Sequence, residues 1–248
     1  MRFIIERKAS EILLYKDAGV AVDSFRHTYH FFKHVRIVDS DFLKNENWID
    51  IAKILIFPGG ADKQYAEKLQ GVGCENIKTF VKNGGAYLGI CAGGYFGTSK
   101  VEFALGTNIE VNEIRQLSFF PGTSRGPFLK DFVYNSEKGA CAARIRSLYN
   151  GDIFYTYFNG GCTFDINSIN SDDMKNIQVL AVYADKNDTA AIVRCKYGEG
   201  YAILSGVHFE YNPMLMTNTK TRIIDALIKT QKIKDRFTNT LFSNLKLE

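Results

Sequence analysis

The sequence predicts an α/β fold, with a central, mostly parallel sheet flanked by helices and a β-rich second half. Three observations lead there. Up to about residue 96, short apolar runs alternate with capped or amphipathic segments, the pattern of right-handed βαβ crossovers. Beyond about residue 105 the apolar runs become short and strand-like, with turn residues between them. One apolar run, Ala86 to Ile90, passes directly into Cys91-Ala92-Gly93-Gly94-Tyr95, where a strand must give way to a helix within about two residues.

Ile12-Leu13-Leu14-Tyr15, closed by Asp17 and Gly19, reads as a first buried strand. Asp23 or Ser24 can cap a helix running to about His34. Val35–Val38 and Lys53–Phe57 follow as strands, the second stopped by Pro58-Gly59-Gly60. From Cys74 to Lys82, Ile77, Phe80 and Val81 share one helical face, and Asn83-Gly84-Gly85 ends the helix. Strand-like pieces then fall at 108–111, 115–120, 131–134, 142–145, 152–158 and 177–183. Ala190–Tyr197 and Tyr201–Ser205 flank Gly198-Glu199-Gly200 as a hairpin, and helices return from about Met214 to Lys229 and onward to Phe237. No linker, repeat or low-complexity stretch divides the chain. One domain over 1–248 is expected, with 1–10 as an N-terminal extension and 214–248 as C-terminal helices.

At 248 residues, 46% hydrophobic and 23% charged, the chain has the balance of an ordinary globule able to bury a good core. A net charge of +4 points to neither a nucleic-acid nor a membrane partner. The five cysteines are odd in number and form no CxxC, which suits free thiols in a reducing compartment. No signal-peptide pattern starts the chain, and no run approaches the ~20 apolar residues of a membrane span. A cytoplasmic protein is expected.

Gly89-Ile90-Cys91-Ala92-Gly93 has the spacing of a nucleophile elbow, with cysteine as the nucleophile. Side chains two before and two after the nucleophile would collide in so tight a turn, so glycine is wanted at both places. The helix that follows aims its free N–H groups at the sulfur and favours thiolate. Against this stands the commoner fate of a cysteine, a small core hydrophobe.

A thiol nucleophile needs a base, and the base an orienting group. His27, His30 and His34 share a helical face, but no carboxylate or cysteine joins them, and a packed or exposed face is expected rather than a metal site. His208 lies just past a predicted strand, where catalytic groups of open α/β sheets collect, and Glu210 follows two residues on, on the same side of an extended segment. The alternative is a surface histidine beside a surface glutamate. The backbone N–H groups of Ala92 and Gly60 are candidate oxyanion donors, the second in Phe57-Pro58-Gly59-Gly60-Ala61-Asp62; a strand-ending turn without a ligand is the competing reading.

In that order, Phe57-Pro58-Gly59-Gly60, Gly89-Ile90-Cys91-Ala92-Gly93 and His208-Phe209-Glu210 resemble a class I glutamine amidotransferase. Gly59-Gly60-Ala61-Asp62, Tyr87 through Tyr95, Val101-Glu102-Phe103, Phe119 through Pro127 and Tyr157-Phe158-Asn159-Gly160-Gly161 resemble, more specifically, the amidotransferase-like N-terminal domain of biotin-protein ligases. The resemblance spans roughly residues 11 to 210. It implies a flavodoxin-like sheet and a triad of Cys91, His208 and Glu210. It implies no biotin ligase activity from this chain, which lacks the Gly-Arg-Gly-Arg-type loop of the ligase catalytic domain; no cofactor or metal is expected.

Tyr95 stands where glutamine-using members carry glutamine, so glutamine is not implied as the substrate, and Phe209 replaces the usual proline. The expected substrate is a small-molecule or peptide amide or ester, with a separate biotin ligase or acceptor protein as partner. The competing reading is a non-catalytic ligand-binding or regulatory module. The pocket is expected to draw on Gly59, Tyr95, Arg125 and the Asn159-Gly160-Gly161 loop. Arg125, among the turn residues from Pro121 to Pro127, could clamp a carboxylate; a plain structural loop is the alternative for both segments. Glu102 has no evident role.

Overall fold

A computed structural model describes residues 11–217 and 219–243. The expected extension at 1–10 lies outside them. The first half runs β1 (Glu11–Tyr15), α1 (Val22–Phe31), β2 (Val35–Val38), α2 (Ser40–Asn45), β3 (Ala52–Phe57), α3 (Asp62–Leu69), α4 (Val72–Lys82), β4 (Ala86–Ile90) and α5 (Ala92–Phe96). The second half runs β5 (Thr98–Phe103), β6 (Val111–Ile114), β7 (Phe120–Gly126), β8 (Cys141–Ser147), β9 (Ile153–Phe158), β10 (Thr163–Asp165), α6 (Ser171–Met174), β11 (Ile177–Tyr183), β12 (Thr189–Tyr197), β13 (Gly200–Ser205), α7 (Thr221–Lys229) and α8 (Gln231–Ser243).

All these strands join one sheet, in the order β2-β1-β3-β4-β13-β12-β10-β7-β5-β6, with β11, β8 and β9 branching from β12. The five strands from β2 to β13 pair in parallel. Both faces of the inner strands of this block are covered, which is why β3 and β4 read as unbroken apolar runs: Ile54 to Phe57 are fully buried. Parallel pairing sends every strand end to the same rim. Phe57 stands opposite Gly89, and Ser205 opposite Ile90, so the segments after β3, β4 and β13 leave the sheet side by side.

Several expectations need correction. α2 and α3 were not legible, because Ser40–Asn45 and Asp62–Leu69 are mostly polar and bury few residues each. The segment around Arg125 is not a turn but strand β7, paired with β5 and β10 despite Pro121, Gly122 and Gly126. Residues 131–134 form no strand; Phe132 and Tyr134 pack their rings against Phe103 instead. The strand expected at 108–111 begins at Val111, and the last helices begin at Thr221 rather than Met214.

Candidate active site

Cys91 caps α5 with φ 52° and ψ −104°, a conformation that costs a non-glycine residue about 1–3 kcal/mol. The flanking glycines make the turn sterically feasible. A Cβ on Gly89 would lie 2.1 Å from the Gly93 carbonyl oxygen, and one on Gly93 would lie 2.2 Å from that of Phe57. The Cys91 N–H donates to the Ser205 carbonyl at 2.8 Å, tying the elbow to the end of β13.

His208 follows β13 by a short bend, and its N–H donates to the Tyr157 carbonyl at 2.9 Å. Its Nδ1 sits 2.8 Å from Glu210 Oε1, with both side chains buried. The pair meets within a turn, not along an extended segment; Phe209 between them points into the core against Phe31 and Phe242. Burial alone would lower the His208 pKa. The charges of Glu210 and Cys91, and hydrogen bonds to both, outweigh that and raise it to about 10. Thiol and imidazole converge on Gly59: a Cβ there would fall 2.7 Å from His208 Cε1 and 3.4 Å from Cys91 Cβ.

Gly60 adopts φ +154°, and a Cβ on it would strike the Gly19 carbonyl oxygen at 1.9 Å. Among the described residues, neither the Gly60 nor the Ala92 N–H has a hydrogen-bond partner, although the amides around Gly60 are tied down. Unpaired backbone donors are what a developing oxyanion requires.

The other nominated residues turn inward or away. Tyr95 is buried and donates its hydroxyl to the Gly160 carbonyl at 3.0 Å, so it props the Asn159-Gly160 loop. That loop reaches the thiol: Cys91 Sγ lies 3.9 Å from the Asn159 carbonyl oxygen. Asn159 Nδ2 donates to the Ser136 carbonyl at 2.9 Å, while its Oδ1 is buried without a partner. Gly160, at φ +80°, has no room for a Cβ against Phe132. Arg125 already holds two carboxylates of this chain, Glu102 at 2.7 Å and Asp165. Glu102 thereby gains a role the sequence did not disclose, bridging Lys100 and Arg125, whose hydrogen bonds hold its carboxyl below the usual range.

His27 is buried, stacked on Tyr211 at 3.9 Å, and accepts the Asn212 N–H at Nδ1. His30 and His34 are exposed, and no metal-binding cluster occurs among the described residues.

Cys91 itself is 6% exposed. Glu137 accepts the Tyr157 hydroxyl at 2.6 Å and the Thr219 hydroxyl at 3.2 Å. A cavity of about 490 Å³ opens on the Glu210 side, lined by Phe31, Tyr211, Met214, Ile228 and the buried Lys234, and does not include Cys91.

The family model for the N-terminal region of biotin-protein ligases matches residues 10–248. The chain belongs to this family. A biotin-protein ligase of Schizosaccharomyces pombe (strain 972 / ATCC 24843) is 38% identical over 184 residues, covering 72% of this chain and 28% of that protein. The chain therefore corresponds to well under half of that relative. An uncharacterized protein of Chlamydia muridarum is 34% identical over 94% of both chains. Among solved structures, PurLQS from Thermotoga maritima superposes with a TM-score of 0.57 at 13% identity, over 90% of this chain and 99% of that one. A ThuA-like protein of Bacteroides uniformis ATCC 8492 gives 0.51 at 10% identity, over 90% and 91%. These likenesses are of fold, and they agree with the class I amidotransferase-like α/β architecture. No helix among the described residues is long and apolar enough to cross a membrane.

Proposed function

We propose that this member of the biotin-protein ligase N-terminal family is a thiol-dependent acyl transferase or hydrolase acting on a small-molecule or peptide amide or ester. The observation that carries this reading is the convergence on Gly59 of the Cys91 side chain and of an imidazole held by Glu210 at 2.8 Å. Cys91 gives its proton to His208 and its sulfur attacks the carbonyl carbon. The Gly60 and Ala92 N–H groups receive the oxyanion. Collapse expels the amine or alcohol, which takes the proton from His208, and leaves a thioester on Cys91. His208 then takes a proton from water, hydroxide adds to the thioester, and the acid and free thiol are released. Glu210 keeps the imidazole oriented and stabilises its charged form. A cytoplasmic setting, where the free thiols persist, and a separate biotin ligase or acceptor protein as partner belong to the same proposal.

Glutamine is disfavoured as the substrate, because the Tyr95 hydroxyl is committed to Gly160 and offers no amide recognition. A second reading, a ligand-binding module of a ligase system, is favoured by the 6% exposure of Cys91 and by a cavity that lies away from it. The two separate on incubation with p-nitrophenyl acetate followed by intact-mass analysis. The enzyme reading expects an acetyl adduct on Cys91 that forms and hydrolyses, and none in Cys91→Ser. Folded protein that forms no adduct would leave the binding module standing.

A further inference from the structure

We propose that Ser24, on α1, is a positioning residue for the oxyanion loop. The inference rests on the acyl-transfer reading above and brings into the site a helix that supplies none of the triad.

Gly59 and Gly60 lack the Cβ that restricts other residues, so nothing intrinsic to them aims the Gly60 N–H. The connection between β1 and α1 does so. The Ala21 N–H donates to the Gly59 carbonyl at 3.0 Å, and the Ala61 N–H donates to the Gly19 carbonyl at 2.8 Å. These bonds flank the Val20–Gly60 bridge, so Gly60 occupies the position whose own N–H turns away from Val20. Because the peptide is planar and trans, anchoring the Gly59 oxygen on Ala21 sends the Gly60 N–H the opposite way.

The preceding peptide is held as well: the Tyr65 hydroxyl reaches the Pro58 and Gly59 carbonyls at 3.2 and 3.3 Å, and Ser24 takes the Gly59 N–H. Its Oγ accepts the Gly59 N–H at 2.7 Å. Ser24 is 2% exposed, so no solvent is at hand to replace that acceptor. The hydroxyl also stands at the reacting centre. A Cβ on Gly59 would fall 2.9 Å from Ser24 Oγ, in the space that His208 Cε1 and Cys91 Cβ border. Ser24 thus acts on the reaction through Gly59, as the clasp that holds the donor in line.

The test compares two reactions of the same thiol. Iodoacetamide is attacked at a saturated carbon and develops no oxyanion; p-nitrophenyl acetate is attacked at a carbonyl and does. Ser24→Ala is expected to slow acetylation of Cys91 by about 10- to 100-fold, while alkylation stays within about twofold. Ser24→Thr, which keeps the acceptor, restores acetylation. Ala21→Pro gives a second probe: the residue already sits at φ −72°, which proline adopts, and the change deletes the shorter of the two hydrogen bonds to the Gly59 oxygen, the other coming from Tyr65. It should reproduce the same split, with melting curves reporting that each variant folds. Wild-type protein whose Cys91 is inert to both reagents overturns the acyl-transfer reading, and this inference with it. Wild type that reacts with both, beside a Ser24→Ala variant that acetylates at the wild-type rate, overturns the Ser24 assignment alone. Equal loss of both reactions in Ser24→Ala also overturns it, since the residue would then support the whole site rather than the donor.

Discussion

Ser205 stands opposite Ile90 in the parallel β4–β13 ladder, and its carbonyl accepts the Cys91 N–H at 2.8 Å. This one contact fixes where two distant parts of the chain meet. The elbow leaves β4 and the His208 segment leaves β13 at the same level of the rim, so the imidazole arrives beside the thiol by strand register. The Gly59–Gly60 loop joins them because β3 is the other parallel neighbour of β4.

The proposed reactivity of Cys91 is testable from that placement. Cys141 is more exposed, but burial of its thiol pushes its pKa up, and Cys74, at about 12, goes further in the same direction. Limited iodoacetamide treatment at neutral pH should therefore modify Cys91 at least about 10-fold faster than Cys141, read by peptide mass spectrometry. His208→Ala should remove most of that advantage. Labelling that follows exposure instead, with Cys141 first, would contradict the paired thiol.

The elbow should tolerate no side chain at its second glycine. The Cβ of Gly93→Ala would lie 2.2 Å from the Phe57 carbonyl oxygen, and backbone at the head of the sheet cannot move aside cheaply. A loss of about 3 kcal/mol or more is expected, measured by urea denaturation. Gly106→Ala, where no atom lies within 4 Å of the added carbon, isolates the cost of its φ of +77° from that of crowding.

What could be read from the sequence tracks how local each cause is. β1, β3, β4 and β13 were legible because strands buried on both faces leave continuous apolar runs. The elbow was legible because the Gly89 clash is local, with Gly93 four residues on; that Gly93 answers to Phe57 of β3 shows only in the fold. β7 was not, since Pro121, Gly122 and Gly126 look like turn residues until β5 and β10 supply their partners. Residue type points Arg125 to the pocket, and its place in the family motif points Tyr95 there, but their partners Glu102, Asp165 and Gly160 come from other strands and loops. Ser24 read as a helix cap; only the tertiary fold sets its hydroxyl on Gly59.

Arg125 offers a direct check on that correction. Its guanidinium is half-exposed and occupied by Glu102 and Asp165, so Arg125→Met should leave the KM for any charged substrate within about twofold and cost little stability. Tyr95→Phe, by contrast, removes a buried hydroxyl from the Gly160 carbonyl and should cost about 1 kcal/mol or more. A large rise in KM in Arg125→Met would show that the ion pairs open to admit a ligand.

Acid should weaken the fold through His27. Its ring is buried on Tyr211, and burial pushes its pKa from 6.5 down to about 3, helped by the charge of Arg26. The folded state thus binds fewer protons than the unfolded chain between those values. The contribution is present above about pH 6.5 and is lost as the pH falls toward 3. Urea midpoints measured at pH 7, 5.5 and 4.5 should fall steadily for the wild-type protein. His27→Gln cannot titrate and keeps an acceptor for the Asn212 N–H, which His27 receives at 3.2 Å. It should start lower at pH 7, for want of the ring stacked on Tyr211, and then fall less steeply. Parallel curves for the two proteins would mean that His27 takes up its proton alike in the folded and unfolded chains, and that carboxylates elsewhere carry the acid sensitivity.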